Sequence, residues 1–134
     1  MSPQRHPPDS PEEWLNRARS DLALARTRGQ DIYLEDLCFH AQQAVEKAVK
    51  ALLLRRGVEF PYVHDIAQLM TLLEEAGQQV SVSVREAERL TRFAVAIRYP
   101  GMLPPVTLEE YQESVAIATQ AVRWAEGIVQ GGGG

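Results

Sequence analysis

The sequence predicts an all-α fold, an up-and-down bundle of four to five helices, and three observations predict it. Serine, threonine or aspartate followed three residues later by glutamate or glutamine opens one run after another. Behind each opening, apolar residues recur at helical spacing, and a glycine or proline closes most of the runs. The connections between runs are short, which suits antiparallel neighbours.

The first opening is Ser10-Pro11-Glu12-Glu13, with an N-cap serine, a first-turn proline and a glutamate three residues on. Leu15, Ala18, Leu22 and Ala25 form the apolar line of this first helix, and Gly29 is a natural stop. The second helix runs from about Tyr33 to Arg56. Leu34, Leu37, Cys38, Ala41, Ala44, Val45, Ala48 and Leu52 share one face, and Gly57 ends it. After the connector VEFPYVH, Asp65 with Gln68 starts a short third helix whose Ile66, Leu69, Met70 and Leu73 turn inward until Gly77. Ser83 with Glu86 predicts the start of a fourth, with Ala87, Leu90, Ala94 and Ile97 inward, and Pro100 biases Tyr99 out of α geometry. Thr107 with Glu110 opens the fifth. Its stripe of Tyr111, Val115, Ala118, Val122 and Ala125 is widened by Ile117, Ala121, Trp124 and Ile128, more apolar face than one neighbour needs, which points to a homodimer.

At 134 residues the chain is one domain in length, and its single cysteine, Cys38, excludes an internal disulfide and a multi-cysteine zinc site. Pro-rich residues 1–10 and Gly131 to Gly134 read as tails that contribute nothing to a core, leaving 11–130 as the folded domain. The N-terminus lacks the apolar run of a signal peptide and no stretch approaches a membrane span, so the expectation is a cytoplasmic protein with no membrane partner. A net charge of −4 argues against indiscriminate adhesion to nucleic acid, while leaving room for a local basic groove.

Turning the second helix by about 100° per residue puts Asp36, His40, Gln43, Lys47 and Lys50 in one polar stripe beside the apolar face. The stripe reads either as the lining of a groove or as a solvated face whose stems snorkel over the core, and spacing alone favours the solvated face. His40 and Lys47 lie nearest the apolar border. The same turn applied to the fourth helix sets Arg98 inward, on the line through Ala87, Thr91 and Ala94. A guanidinium there needs a partner. It either caps the helix or pairs with a carboxylate such as Glu46, or it projects into a pocket that binds phosphate. Arg85, Arg89 and Arg92 interleave with Glu86 and Glu88, where Glu88 can pair with Arg92, and read as a charge-balanced outer face. His64 with Asp65 reads as a helix cap. Cys38 reads as packed, and no group of residues has the spacing of a helical metal site, so no cofactor or metal is expected.

The run CFHAQQAVEKAVKALLLRRG, then HDI at His64 to Ile66, then RYP at Arg98 to Pro100, with ARSDLALA at Ala18 to Ala25, resembles the HEPN domain of prokaryotes over about Glu12 to Val129. The resemblance implies a helical bundle that forms dimers, often encoded beside a minimal nucleotidyltransferase as a toxin–antitoxin-like pair. It also implies kinship with metal-independent RNases whose active centre is an arginine followed, after four to six residues, by a histidine. Arg98 matches that arginine, but Leu103, Pro104 and Pro105 occupy the positions where the histidine belongs. None of these can move a proton. The expectation is therefore a dimeric module that binds a nucleotide or RNA phosphate through Arg98, Tyr99, His40, Gln43, Lys47 and Asp36, together with a nucleotidyltransferase partner. Two alternatives stand beside it. One is an RNase in which a non-standard histidine, His40 or His64, serves with Arg98; the other is a structural partner protein without a ligand.

Overall fold

Ser10 opens α1, Pro11–Ala25, as its spacing predicts: its Oγ accepts the Glu13 amide at 3.1 Å. The structure, a computed structural model, describes residues 2–60, 62–95 and 103–131. Leu34–Arg55 form α2, Ile66–Glu75 form α3, Val82–Arg85 form α4, which passes directly into a 3₁₀ segment, Glu86–Val95, and Leu108–Gly131 form α5. Among the described residues there is no strand.

Helix α2 is the centre of the bundle, packing against α1, α5, α3 and the 3₁₀ segment. Its Ala41, Ala44, Ala48 and Ala51 are fully buried, as are Ala118, Ala121 and Ala125 of α5, and these small side chains let the helices approach closely. Leu15 of α1, Leu52 and Leu53 of α2, Ile66, Leu69, Met70 and Leu73 of α3, and Leu90 and Phe93 of the 3₁₀ segment fill the space between. Each such side chain contributes about 1.5–3 kcal/mol by leaving water.

The ends of α2 and α3 use one device. Gly57 at φ 70° and Gly77 at φ 99° take the left-handed conformation that a side chain disfavours. The amides that follow, of Val58 and Gln78, then reach back to the Leu53 and Leu73 carbonyls at 2.9 and 3.1 Å. Thr107 and Glu110 form the reciprocal box that opens α5, each side chain taking the other's amide at 3.1 Å. Helix α1 stops at Ala25, before Gly29, and Tyr111 Oη donates to the stranded Ala25 carbonyl at 2.6 Å.

The fourth helix departs from expectation in start and in type. Its cap is Ser81, whose Oγ accepts the Val84 amide at 3.3 Å, whereas Ser83 takes a bond from Gln120. From Glu86 on, the winding is 3₁₀, longer than such runs usually are. Spacing of three explains it. Ala87, Leu90 and Phe93 lie in one buried row at that interval, and Arg85 with Glu88 and Glu86 with Arg89 pair across the same three-residue step. Phe93 therefore fills the place assigned to Ala94, which is only partly buried. The expected Glu88–Arg92 pair, four residues apart, gives way to Arg85–Glu88 and Arg92–Glu110 for the same reason. The inward line through Ala87, Thr91 and Ala94 assumed α winding, and Thr91 Oγ1 instead accepts from the Ile66 amide at 3.2 Å. Ile97, Arg98 and Tyr99 lie outside the described residues.

A polar seam between α1 and α2

Asp21 sits on α1 between Ala18 and Ala25, on the apolar side, and is buried against α2. A carboxylate in that position requires donors, and α2 supplies two from positions two turns apart. His40 Nδ1 lies 3.0 Å from Oδ1, and Lys47 Nζ donates to Oδ2 at 2.5 Å. Both donors stay partly open, with 31% and 28% of their side chains exposed. His40 and Lys47 are brought together, on a residue of α1 that the stripe did not include.

A second, deeper carboxylate lies on α2 itself. Glu46 Oε1 accepts from His64 Nδ1 at 2.8 Å and from Gln42 Nε2 at 3.0 Å, and Oε2 accepts from Lys50 Nζ at 3.0 Å. Side-chain exposure is 5% at Glu46 and 7% at Lys50, against 50% at His64. Burial works to raise the Glu46 carboxyl, but the bonds from His64, Lys50 and Gln42 outweigh it and hold the group below the ordinary carboxylate range. Gln43 Nε2 joins the cluster through Gln42 Oε1 at 2.8 Å. Lys50 is therefore not a solvated member of the stripe. Its ammonium lies 5.8 Å from the Trp14 ring and 5.4 Å from the Phe60 ring, which stack edge to face and cover it.

His64 does more than precede a helix. Asp65 alone caps α3, accepting the Ala67 amide at 3.0 Å, while the imidazole turns to Glu46. Asp36 is exposed and has no side-chain hydrogen bond or ion pair among the described residues. The signals that would have found Asp21 and Glu46 were present. Asp21 falls on the Ala18–Ala25 line, and Gln42, Glu46 and Lys50 follow one another at four-residue spacing.

The arginine face of the 3₁₀ segment behaves as the alternation with glutamate suggests. Arg89 pairs with Glu113 at 2.6 Å and with Glu86 at 3.2 Å, Arg92 with Glu110 at 3.4 Å, and Arg85 with Glu74 and Glu88. Cys38 is buried beside α5 and its thiol is pushed up to about 11, chiefly by burial, as expected of a packed cysteine. Among the described residues no group of His, Cys, Asp and Glu is arranged to hold a metal ion, and no helix is long and apolar enough to cross a membrane.

A family model described as the HEPN domain matches residues 11–128. The crystal structure of TT1696 from Thermus thermophilus superposes with a TM-score of 0.76 at 32% identity, covering 88% of this chain and 97% of that one. The crystal structure of ST0689, described as an archaeal HEPN homologue, gives a TM-score of 0.70 at 29% identity over 88% and 96% of the two chains. A protein of Methanocaldococcus jannaschii named "Putative toxin MJ1304" is 40% identical over 47 residues, which is 35% of this chain and 31% of that protein's length.

Proposed function

We propose, from the premise that this chain belongs to the HEPN domain family, that it is a dimeric module holding a nucleotide or an RNA phosphate at the α2 stripe and Arg98. Its partner in this reading is a minimal nucleotidyltransferase, in a toxin–antitoxin-like pair. The observation that carries the reading is the convergence of His40 and Lys47 on Asp21. Their shared carboxylate fixes two cation-capable groups in one place, and each remains open enough to reach a phosphate. A lysine ammonium has three donors, so the bond to Asp21 leaves two for a ligand. The partial match to a protein named as a toxin supports the toxin–antitoxin setting.

Calorimetric titration with nucleotides and short RNA tests the reading. Lys47→Ala and Arg98→Ala are expected to weaken binding while the bundle stays folded, and binding unchanged in both overturns it. Sedimentation at micromolar concentration checks the dimer, and co-expression with a nucleotidyltransferase encoded alongside checks the pair.

One observation favours a second reading, the metal-independent RNase with a non-standard histidine. His64 is half exposed, and its Nδ1 rests on the buried Glu46, the arrangement by which a carboxylate orients a catalytic imidazole. Such a base would take the 2′-hydroxyl proton while that oxygen attacks the adjacent phosphorus, the P–O5′ bond breaks and the departing 5′-oxygen takes a proton from water. RNA cleavage that survives a chelator and disappears in His64→Ala or His40→Ala would replace the binding reading by this one.

A further inference from the structure

The segment before Pro11 folds back along α1. The Gln4 carbonyl accepts from Asn16 Nδ2 at 2.7 Å, and the His6 amide donates to Glu13 Oε1 at 3.0 Å. The Pro7 carbonyl takes both the Ser10 amide at 3.0 Å and its hydroxyl at 2.7 Å. Between this returning strand of chain and the two helices lies a cavity of about 340 Å³, at the lower end of small-ligand pockets. Arg5, His6, Glu13, Trp14, Arg17 and Lys47 line it.

The lining has a distinct charge pattern. Two guanidinium side chains, a lysine and an imidazole line it beside one carboxylate, and that carboxylate is already engaged on both oxygens, by the His6 amide and by Arg17 Nε at 3.0 Å. The His6 amide, with Arg17, keeps the Glu13 carboxyl below its ordinary range, so it stays an acceptor for protein donors. Arg17 keeps four of its five N–H groups, Lys47 keeps two of three, and Arg5 has no side-chain bond among the described residues. On the apolar side stands the half-buried Trp14 ring, held edge-on by Phe60 at 5.7 Å between centroids. A fixed indole beside two guanidinium groups and an ammonium suits a flat base that carries phosphate.

We infer that this cleft binds a phosphorylated nucleoside, the base against Trp14 and the phosphate on Arg5, Arg17 and Lys47. The inference rests on the reading of the domain as a nucleotide-phosphate module and extends it to a site built from α1 and the segment before it, with Lys47 common to both. The ligand chemistry is shared by a free nucleoside monophosphate and by the 5′-phosphorylated end of an RNA strand.

Calorimetry on the full chain tests it with four probes: AMP, adenosine, and a short oligoadenylate with and without a 5′-phosphate. The phosphorylated probes are expected to bind at least tenfold more tightly than their unphosphorylated counterparts. The double variant Arg5→Ala, Arg17→Ala, whose side chains are exposed, is expected to keep its thermal midpoint and to lose roughly tenfold or more in affinity for them. AMP binding tighter than the phosphorylated strand identifies a free nucleotide as the ligand, and the reverse order identifies an RNA end. Phosphate-dependent binding that the double variant leaves intact and Arg98→Ala abolishes overturns the cleft while the functional reading survives. Failure of the wild-type chain to bind any probe overturns both.

Discussion

Removing the Glu46 carboxylate asks how much of the bundle depends on one buried charge. Three donors converge on it, from His64 at 2.8 Å, Lys50 at 3.0 Å and Gln42 at 3.0 Å. In Glu46→Ala the imidazole, being half exposed, can turn to water, whereas Lys50 and Gln42 cannot. Lys50 is left with the Trp14 and Phe60 rings at 5.8 and 5.4 Å, contacts that offset about 0.5–2 kcal/mol of a stranded ammonium. Breaking a buried pair from one side costs about 3–5 kcal/mol. The expected loss is of that size, a large share of the roughly 5–15 kcal/mol that hold a domain folded. The double variant Glu46→Ala, Lys50→Met removes both charges and should recover most of it. Asp21→Ala provides the contrast, since His40 and Lys47 are already partly hydrated, and should cost about 1–2 kcal/mol. Urea unfolding near neutral pH, followed by far-ultraviolet circular dichroism, measures all four chains. A Glu46→Ala loss below about 1 kcal/mol, or no recovery in the double variant, would refute the picture of one coupled buried unit.

Three further outcomes follow from the same geometry. Because the folded Glu46 carboxyl lies below its ordinary value of 4.5, the stabilisation it gives is complete above that pH and is lost as pH falls through the folded value; Glu46→Gln should flatten that acid limb of a thermal-midpoint profile. Cys38 should resist a thiol reagent at mildly alkaline pH in the folded chain and react at once in urea, since burial and a thiol pushed up to about 11 keep it neutral and covered. The three-residue register of the 3₁₀ segment predicts about 3–5 kcal/mol lost in Phe93→Ala and under about 1 kcal/mol in Ala94→Ser; equal losses in a chemical-denaturation series would restore the α-helical register.

Much of the fold could be read in advance because its signals are local. Ser10, Asp65 and Thr107 cap the helices they precede, Gly57 and Gly77 end theirs, and the apolar line of α2 is the buried centre of the bundle. The fourth helix was less legible because its residues fit spacings of three and of three and a half almost equally well, and Phe93 against Ala94 is decided by tertiary packing. In the polar seam the α2 donors His40, Lys47 and Lys50 were visible as a stripe. Their acceptors stood out less, since Asp21 lies on another helix and Glu46 among residues that share the core side. Asp36 belongs to the same stripe by angle alone. It lies one turn before the point where α1 reaches α2 with a carboxylate, and so faces water.

The winding of Glu86–Val95 also fixes a direction. Ten residues of 3₁₀ helix advance about 20 Å where an α-helix would advance about 15 Å. At about 120° per residue instead of 100°, they also turn further by roughly half a revolution. Val95 thus sits at a point and bearing that a rewound segment could not reproduce. The i,i+3 ion pairs of Arg85 with Glu88 and Glu86 with Arg89 hold that bearing at the surface, and the Ala87, Leu90, Phe93 row holds it in the core. A charge reversal at Glu86 or Glu88 would therefore shift the far end of this segment, felt before any loss of the bundle itself.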